Sequence, residues 1–355
     1  KAESNGQFSN VIARELDNGI QGKSSLLSNT IDPTGSAELV ENWVEVINPT
    51  TQARKFTVSI FAANGKLIGK PKVIKVNPLA EVDVPGGHQI GRGTYLVEVK
   101  PSSLQTPYLA SLVRYAKPTS SDGYATIHRA NTGEWGRRYL GVSNLTGECW
   151  NQDNWVVVAN PTTELLNVSF TARKQDGTEA GAARLGFAPR AQESINLSAL
   201  LPKEQVGYVE LSTGAATPLL SESVIYYHDC GDNKVQAAFT LPSQIPDATK
   251  LTGTFNSFLD MQNFVLLSNT GSSNASSLSF RLTAPTATAS VSSMTGPAVG
   301  KTSFFELAAP QFNIQSNSYG AFNFGSTKSG KLFGDVLRVK EVDGKIDYVI
   351  ATPLR

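Results

Sequence analysis

Charge is scarce in this chain of 355 residues. Asp, Glu, Lys and Arg together make up 17% of it, and they nearly cancel, to a net +1. A globular chain usually carries about a quarter charged residues. The cations form no run or stripe, which argues against nucleic acid or an anionic membrane surface as a partner. No apolar run approaches the roughly 18 residues that a membrane-spanning helix needs, so no membrane insertion is expected. Histidine is limited to His88, His128 and His228, and cysteine to Cys149 and Cys230. There is no His-x-x-x-His, no cysteine pair at metal spacing and no glycine-rich phosphate loop. Neither a metal nor a cofactor is expected. Ser143, Ser221 and Ser223 lack the strand-to-helix setting of a nucleophile elbow. The reading is therefore non-enzymatic. A glycan-active hydrolase, whose paired carboxylates would meet only in space, is the remaining enzymatic alternative.

Gly, Ser, Thr, Asn and Pro take the place of charge, and this mix favours short strands and turns over long helices. The 40% hydrophobic content is enough for more than one core. One stretch recurs. It reads Asn42-Trp43-Val44-Glu45-Val46-Ile47-Asn48-Pro49-Thr50, then Asn154-Trp155-Val156-Val157-Val158-Ala159-Asn160-Pro161-Thr162, then Asn263-Phe264-Val265-Leu266-Leu267-Ser268-Asn269-Thr270-Gly271. The intervals, 112 residues (42 to 154) and 109 (154 to 263), suit a whole domain. Proline cannot donate to a ladder, so Pro49 and Pro161 mark strand ends. Alternation then gives Phe56, Val58 and Ile60 a strand, followed by Asn64-Gly65, a tight-turn sequence. Val168 and Phe170 lead likewise to Asp176-Gly177, and the turn glycine lies 17 residues beyond the strand-ending asparagine both times (48 to 65, 160 to 177). The third copy lacks this glycine. It enters instead a Thr/Ala/Ser/Pro-rich stretch, 283–303, read as a long loop or a weakly paired edge.

A second feature recurs, a strand followed by an Asp/Asn/Gly turn. Val11-Ile12-Ala13-Arg14 precedes Asp17-Asn18-Gly19. Leu112-Val113-Arg114-Tyr115 precedes Asp122-Gly123, Val224-Ile225-Tyr226-Tyr227 precedes Gly231-Asp232-Asn233, and Val336-Leu337-Arg338-Val339 precedes Asp343-Gly344. Four hairpins thus accompany three bodies, and Arg114, Tyr226 and Arg338 are aligned. The expected fold is all-β, three tandem immunoglobulin-like antiparallel sandwiches. Their spans are 1–133 (with an extra N-terminal hairpin at about 7–30), 134–247 and a divergent 248–355. Trp43, Val58, Ile60, Val97 and Val113 are the expected core of the first.

The order of Asn-Pro-Thr, alternating strand, Asn/Asp-Gly turn, Gly207-Tyr208-Val209-Glu210-Leu211 and Thr217-Pro218-Leu219-Leu220 resembles the tandem all-β repeat domains of secreted and cell-surface bacterial proteins. That resemblance covers most of the chain and departs in the third copy, at Asn269-Thr270. It implies an extracellular or cell-surface setting, or a periplasmic one, and a scaffolding, adhesion or filament role without shared catalytic residues. The opening Lys1-Ala2-Glu3-Ser4-Asn5-Gly6 reads as a mature end from which a signal peptide has been removed.

Two smaller features bear on function. Cys149 and Cys230 flank the second copy, and a disulfide between them would close a loop of about 80 residues in an oxidising compartment. The connection 128–155 holds Trp135, Arg137, Arg138, Tyr139 and Trp150, residues suited to stacking a sugar or anchoring a protein partner. The alternative is that they fill the junction between the first and second units, with arginine stacked on tryptophan. The partners expected are other protein chains, including copies of this one through its terminal strands, or surface glycans.

Overall fold

The side-chain period of a strand is two, so the recurring segment has two different faces. In β2 (Val40–Asn48) the residues Asn42, Val44, Val46 and Asn48 point inward and are buried, while Trp43, Glu45 and Ile47 alternate outward and are only partly covered. The tryptophan expected in the core thus lies on the opposite face. There it rests on the His88 ring (centroids 4.9 Å apart), and its indole N–H donates to Glu41 (3.2 Å).

The inward asparagines tie each unit together. Asn48, Asn160 and Asn269 have no exposed surface. The Asn48 side-chain amide donates to the Gln52, Val76 and Asn77 carbonyls (2.8, 3.2 and 3.0 Å), and its Oδ1 accepts the Thr50 N–H (3.1 Å). Asn160 repeats this with Glu164, Phe187, Ala188 and Thr162, and Asn269 with Ser273, Pro297 and Gly271. Each side chain satisfies buried backbone groups that would otherwise cost about 1–3 kcal/mol apiece. The first asparagine of the motif bridges to the opposing sheet. Asn42 Nδ2 donates to Ser28 Oγ, and Asn154 and Asn263 accept the Ser143 and Asn256 N–H groups. Where Pro49 and Pro161 carry no donor, the Thr270 N–H donates to Lys331 O (2.9 Å).

The computed structural model describes residues 19–31, 40–116, 124–134, 136–214, 217–246, 250–275, 278–284, 287–307, 312, 314, 316–326 and 331–355. Among these the chain is all-β, with a short 3₁₀ turn at Phe258–Asp260. The first eight strands are β1 (Ser24–Asn29), β2, β3 (Arg54–Ala62), β4 (Lys72–Val76), β5 (Ala80–Pro85), β6 (Thr94–Pro101), β7 (Leu109–Ala116) and β8 (Tyr124–Arg129). The next eight are β9 (Arg137–Asn144), β10 (Trp150–Ala159), β11 (Leu166–Lys174), β12 (Glu179–Phe187), β13 (Gln192–Asn196), β14 (Gln205–Thr213), β15 (Leu220–Asp229) and β16 (Val235–Pro242). The last are β17 (Lys250–Asn256), β18 (Gln262–Asn269), β19 (Leu278–Ala284), β20 (Ala287–Met294), β21 (Thr302–Glu306), β22 (Tyr319–Ser326), β23 (Leu332–Val342) and β24 (Lys345–Pro353).

They pair into six antiparallel four-stranded sheets. The first eight strands form β1-β6-β3-β4 and β5-β2-β7-β8. The orders β9-β14-β11-β12 with β13-β10-β15-β16, and β17-β22-β19-β20 with β21-β18-β23-β24, repeat the same connectivity. Each set of eight has an apolar cluster. Val44, Val46, Phe56, Val58 and Val97 belong to the first, Val156, Val158, Phe170 and Leu211 to the second, and Val265, Phe280, Phe322 and Phe324 to the third. Of the expected core, Val58 and Val97 are in the cluster and Ile60 packs against it, whereas Val113 is buried on the other face of its sheet.

One detail corrects the sequence reading and two others bear on it. Asn42, Asn154 and Asn263 pair with Arg114, Ile225 and Arg338, so Ile225, not Tyr226, matches the two arginines. The stretch 283–303 holds a true edge strand, β20, beside β19. The N-terminal hairpin falls largely outside the described residues, but Gly19, read as its turn, is described. It leads into the β1 side of the first set just as Gly133 leads into β9. Both have positive φ (+74° and +91°), and the bridges that follow, Ile20 to Tyr108 and Glu134 to Leu219, correspond.

Candidate functional site

The β2, β10 and β18 sheets each present a second, outward face, and what covers it differs. In the second set this face carries Val157, Ala159, Leu220, Val224 and Tyr226. It is closed by Leu27, Val40, Leu96, Ala116 and Tyr124 of the first set, in one shared apolar cluster. In the third set Leu266, Leu337, Val339 and Val349 are covered by Trp150, Ile225, Tyr227, Phe239 and Leu241 of the second. Tyr139, Tyr208 and Phe333 extend that second junction as a ring cluster. Strand β8 lies against β16, and β16 against β24.

Polar contacts repeat between the two junctions. The Asn64-Gly65 turn sits on the start of β13, where the Gln192 N–H donates to Ala63 O (2.9 Å). The Asp176-Gly177 turn sits on the start of β21 in the same way, with the Thr302 N–H donating to Gln175 O (3.0 Å). The glycine serves two needs there. Its φ is +84° at Gly65 and +86° at Gly177, and a Cβ would overlap the Pro189 carbonyl in the first case and approach the Gly300 carbonyl to 2.8 Å in the second. The first junction adds Arg114 donating to the Tyr226 hydroxyl, His128 Nδ1 against Glu222 (2.7 Å) and Arg190 against Glu98 (3.0 Å). The second adds Lys345 against Asp229 (2.6 Å), Trp150 Nε1 to Glu341 (3.1 Å) and Gln244 Nε2 to Asp335 Oδ1 (2.8 Å).

Asp335 is the residue the sequence reading missed. It is fully buried between the second and third sets, facing Gly141 and Leu266. Burial pushes its carboxyl up to about 8, against the partial relief of the Gln244 amide. One signal was present: a lone acid in the apolar run of β23. Asp229, by contrast, is held well below the usual carboxylate range by the Lys345 ammonium and the Gly231 N–H. The turn Asp229–Asn233 is thus a hairpin tip that reaches across the junction.

The aromatic connection is placed as follows. Trp135 lies outside the described residues. Arg137 is exposed beside Glu210. Arg138 is buried and faces Glu134 (3.4 Å), Tyr139 is buried in the ring cluster with Phe333, and Trp150 is buried against Tyr227 (5.1 Å). Tyr139 and Trp150 therefore fill the junction between the second and third sets rather than that between the first and second, because the connection itself contains strand β9. Cys149 and Cys230 stand as neighbours at the open end of the β10–β15 ladder, one step beyond the Trp150–Asp229 pair. The Cys230 N–H approaches Cys149 O (3.4 Å). The disulfide expected between them is not formed: both are free thiols, and contact with Cys230 pushes the Cys149 thiol up from its ordinary value.

On the first set the outward face carries Glu45, Glu81 and Asp83, whose carboxylate oxygens lie within 4.8 Å of one another. Ser111 Oγ donates to Glu45 (2.5 Å). Val157 and Leu266 hold the place of Glu45 in the other two sets.

No family model and no curated relative matches the chain. Among solved structures, the crystal structure of Thermotoga maritima 1070 is similar over 33% of this chain and all of its own, at 11% identity and a TM-score of 0.26. A red sea bream transglutaminase (11% identity, TM-score 0.14) and a Bacteroides uniformis beta-glucuronidase (13%, 0.14) are matched over 63% and 62% of this chain. The chain spans only 29% and 26% of those two proteins.

Two outcomes follow from the junctions. Gly65→Ala and Gly69→Ala share the cost of a non-glycine residue at positive φ, roughly 1–2 kcal/mol, but only Gly65 faces a neighbouring set; Gly69 has open space around it. Thermal unfolding is expected to show the larger loss for Gly65→Ala, and equal losses would mean that the turn does not dock. For Asp335, the folded state keeps a proton that the unfolded state releases above 3.8. Stability should fall as pH rises from about 4 through about 8 and level off beyond. Asp335→Asn should flatten that slope in denaturant titrations run across this range.

Proposed function

We propose that the chain is a non-enzymatic, exported structural or interaction protein of three tandem immunoglobulin-like sandwiches, serving in a cell-surface or extracellular assembly or as an adhesin. One observation carries this reading: the same docking of one set on the next occurs twice, with apolar contact and the same turn-to-strand hydrogen bond. Repetition of that kind lengthens a rigid body and multiplies similar surfaces, as in other stacked-repeat proteins. The partners that suit such a body are other protein chains.

The neighbouring thiols support export. In an oxidising compartment Cys149 and Cys230 would lose two hydrogens to a disulfide oxidant and bond across the strand pair. The closed loop gives up to roughly 4 kcal/mol in the chain-entropy account. The protein taken from intact source cells is expected to resist alkylation at both cysteines until reduced, and to be cleaved by protease added outside those cells. Thiols that alkylate without reduction, together with protection from external protease until lysis, would overturn the assignment.

A further inference from the structure

Ser111, Glu222 and Asp335 hold one aligned place on the outward faces. They pair across their sheets with Glu45, Val157 and Leu266. In the second and third sets this place is an acid at a junction, and the two junctions treat it differently. Glu222 meets His128 Nδ1 of the first set at 2.7 Å and keeps 12% of its side chain exposed. Asp335 has no exposed surface. Its Oδ1 accepts from Gln244 Nε2 (2.8 Å), and its Oδ2 has no hydrogen-bond partner among the described residues. The second set meets that oxygen with bare backbone, since a Cβ on Gly141 would come to 2.5 Å from it.

The elements packed around Asp335 bring it no cation. On β9 the face of Gly141 carries Tyr139 and, at its exposed end, Arg137, which is held by Glu210 of β14 (3.5 Å). Strand β14 also brings Tyr208, opposite Gly141. Burial raises both phenols above their ordinary value, so they stay neutral where a carboxyl titrates. Leu266 and Phe264 of β18, Ala351 and Pro353 of β24, and Leu337 of β23 itself do not titrate. Glu306 of β21 lies opposite Phe264 and is partly exposed. Gln244 follows β16, exchanges two backbone hydrogen bonds with Tyr139 (2.8 and 3.0 Å) and also donates to Gly334 O (3.2 Å).

An ionised carboxylate in this place has one amide to hold it, and burial penalises the charge. The penalty falls on docking rather than on folding. Asp335 points away from the third core, which takes Leu332 and Val336 from the opposite face of β23. Parting the two sets returns Asp335 to water and leaves that core intact, so local opening is the smaller escape. We propose that the second junction is a proton-operated latch: with its proton Asp335 keeps the third set docked on the second, and without it the third set comes away while each sandwich stays folded. The latch stands independently of the exported, structural role proposed above. Burial raises the Asp335 carboxyl from 3.8 to about 8 in the docked state, so the docked chain holds a proton that the open one releases. Opening should become roughly tenfold easier per pH unit between these values and level off above the upper one.

The test is amide hydrogen exchange on the full chain from about pH 5 to about pH 8, each rate taken relative to an unstructured peptide at the same pH. The Thr302 amide donates across the second junction to Gln175 O. Its protection should fall roughly tenfold per pH unit, while Gln192 at the first junction and the β18–β23 ladder keep theirs. Asp335→Asn should make Thr302 protection independent of pH. The proposal is overturned if Thr302 protection in the unsubstituted chain does not change with pH, or if Asp335→Asn keeps the slope. Loss of the β18–β23 ladder together with Thr302 also overturns it, because the third set would then be unfolding rather than parting. Should Asp335→Asn fail to dock at any pH, Asp335→Ser, which places the side chain of Ser111 here, replaces it and must remove the slope.

Discussion

Strands β10, β15 and β18 are apolar on both faces, and that constraint organises the molecule. A strand in a two-layer structure needs one apolar face, and its other face can meet water. In β15, Val224 and Tyr226 look one way and Ile225 and Tyr227 the other, yet all four are buried. The second set therefore cannot stand alone without exposing a large apolar surface. It is held between its neighbours, and the turns at Gly65 and Gly177 fix the register of each contact. The third set has no such turn glycine, and no following set sits on it among the described residues.

Much of this was legible in the residues. The interval of the Asn-Trp segment, its strand-ending asparagine and the spacing to Asn64-Gly65 and Asp176-Gly177 all marked real structural positions. The unbroken runs Val156–Ala159 and Val224–Tyr227 carried the signal of strands covered on both sides, where Glu45 interrupts the equivalent run in β2. What was not legible has physical causes. Strands β1, β9 and β17 are short on β-branched residues at their starts and gain their place from the Asn42, Asn154 and Asn263 side chains. Trp43 looked like core because it is large, but the period of two sends it outward once both asparagines face in. The junction that Tyr139 and Trp150 fill was not legible, because nothing in one sequence reveals which neighbouring set will cover them.

The charged groups at the junctions differ in character. His128–Glu222, Arg190–Glu98 and Lys345–Asp229 are pairs, whereas Asp335 is a single acid held by one amide. A buried unpaired carboxyl is costly when ionised, so Asp335 makes the second junction sensitive to pH. The thiols Cys149 and Cys230 lie beside the same junction, near the β23–β24 hairpin whose Gly344 packs on Glu148. Asp335 and the two thiols thus lie at the same junction, while the turn contacts serve both junctions alike.

The account rests on the three sets being docked as one body rather than strung as separate beads. The amides of Gln192 and Thr302, which donate across the two junctions to Ala63 and Gln175, report on this most directly through hydrogen exchange. Docked sets predict that both exchange as slowly as the amides of β10 and β18. Exchange of either at the rate of an open loop amide, with the cores still protected, would contradict it.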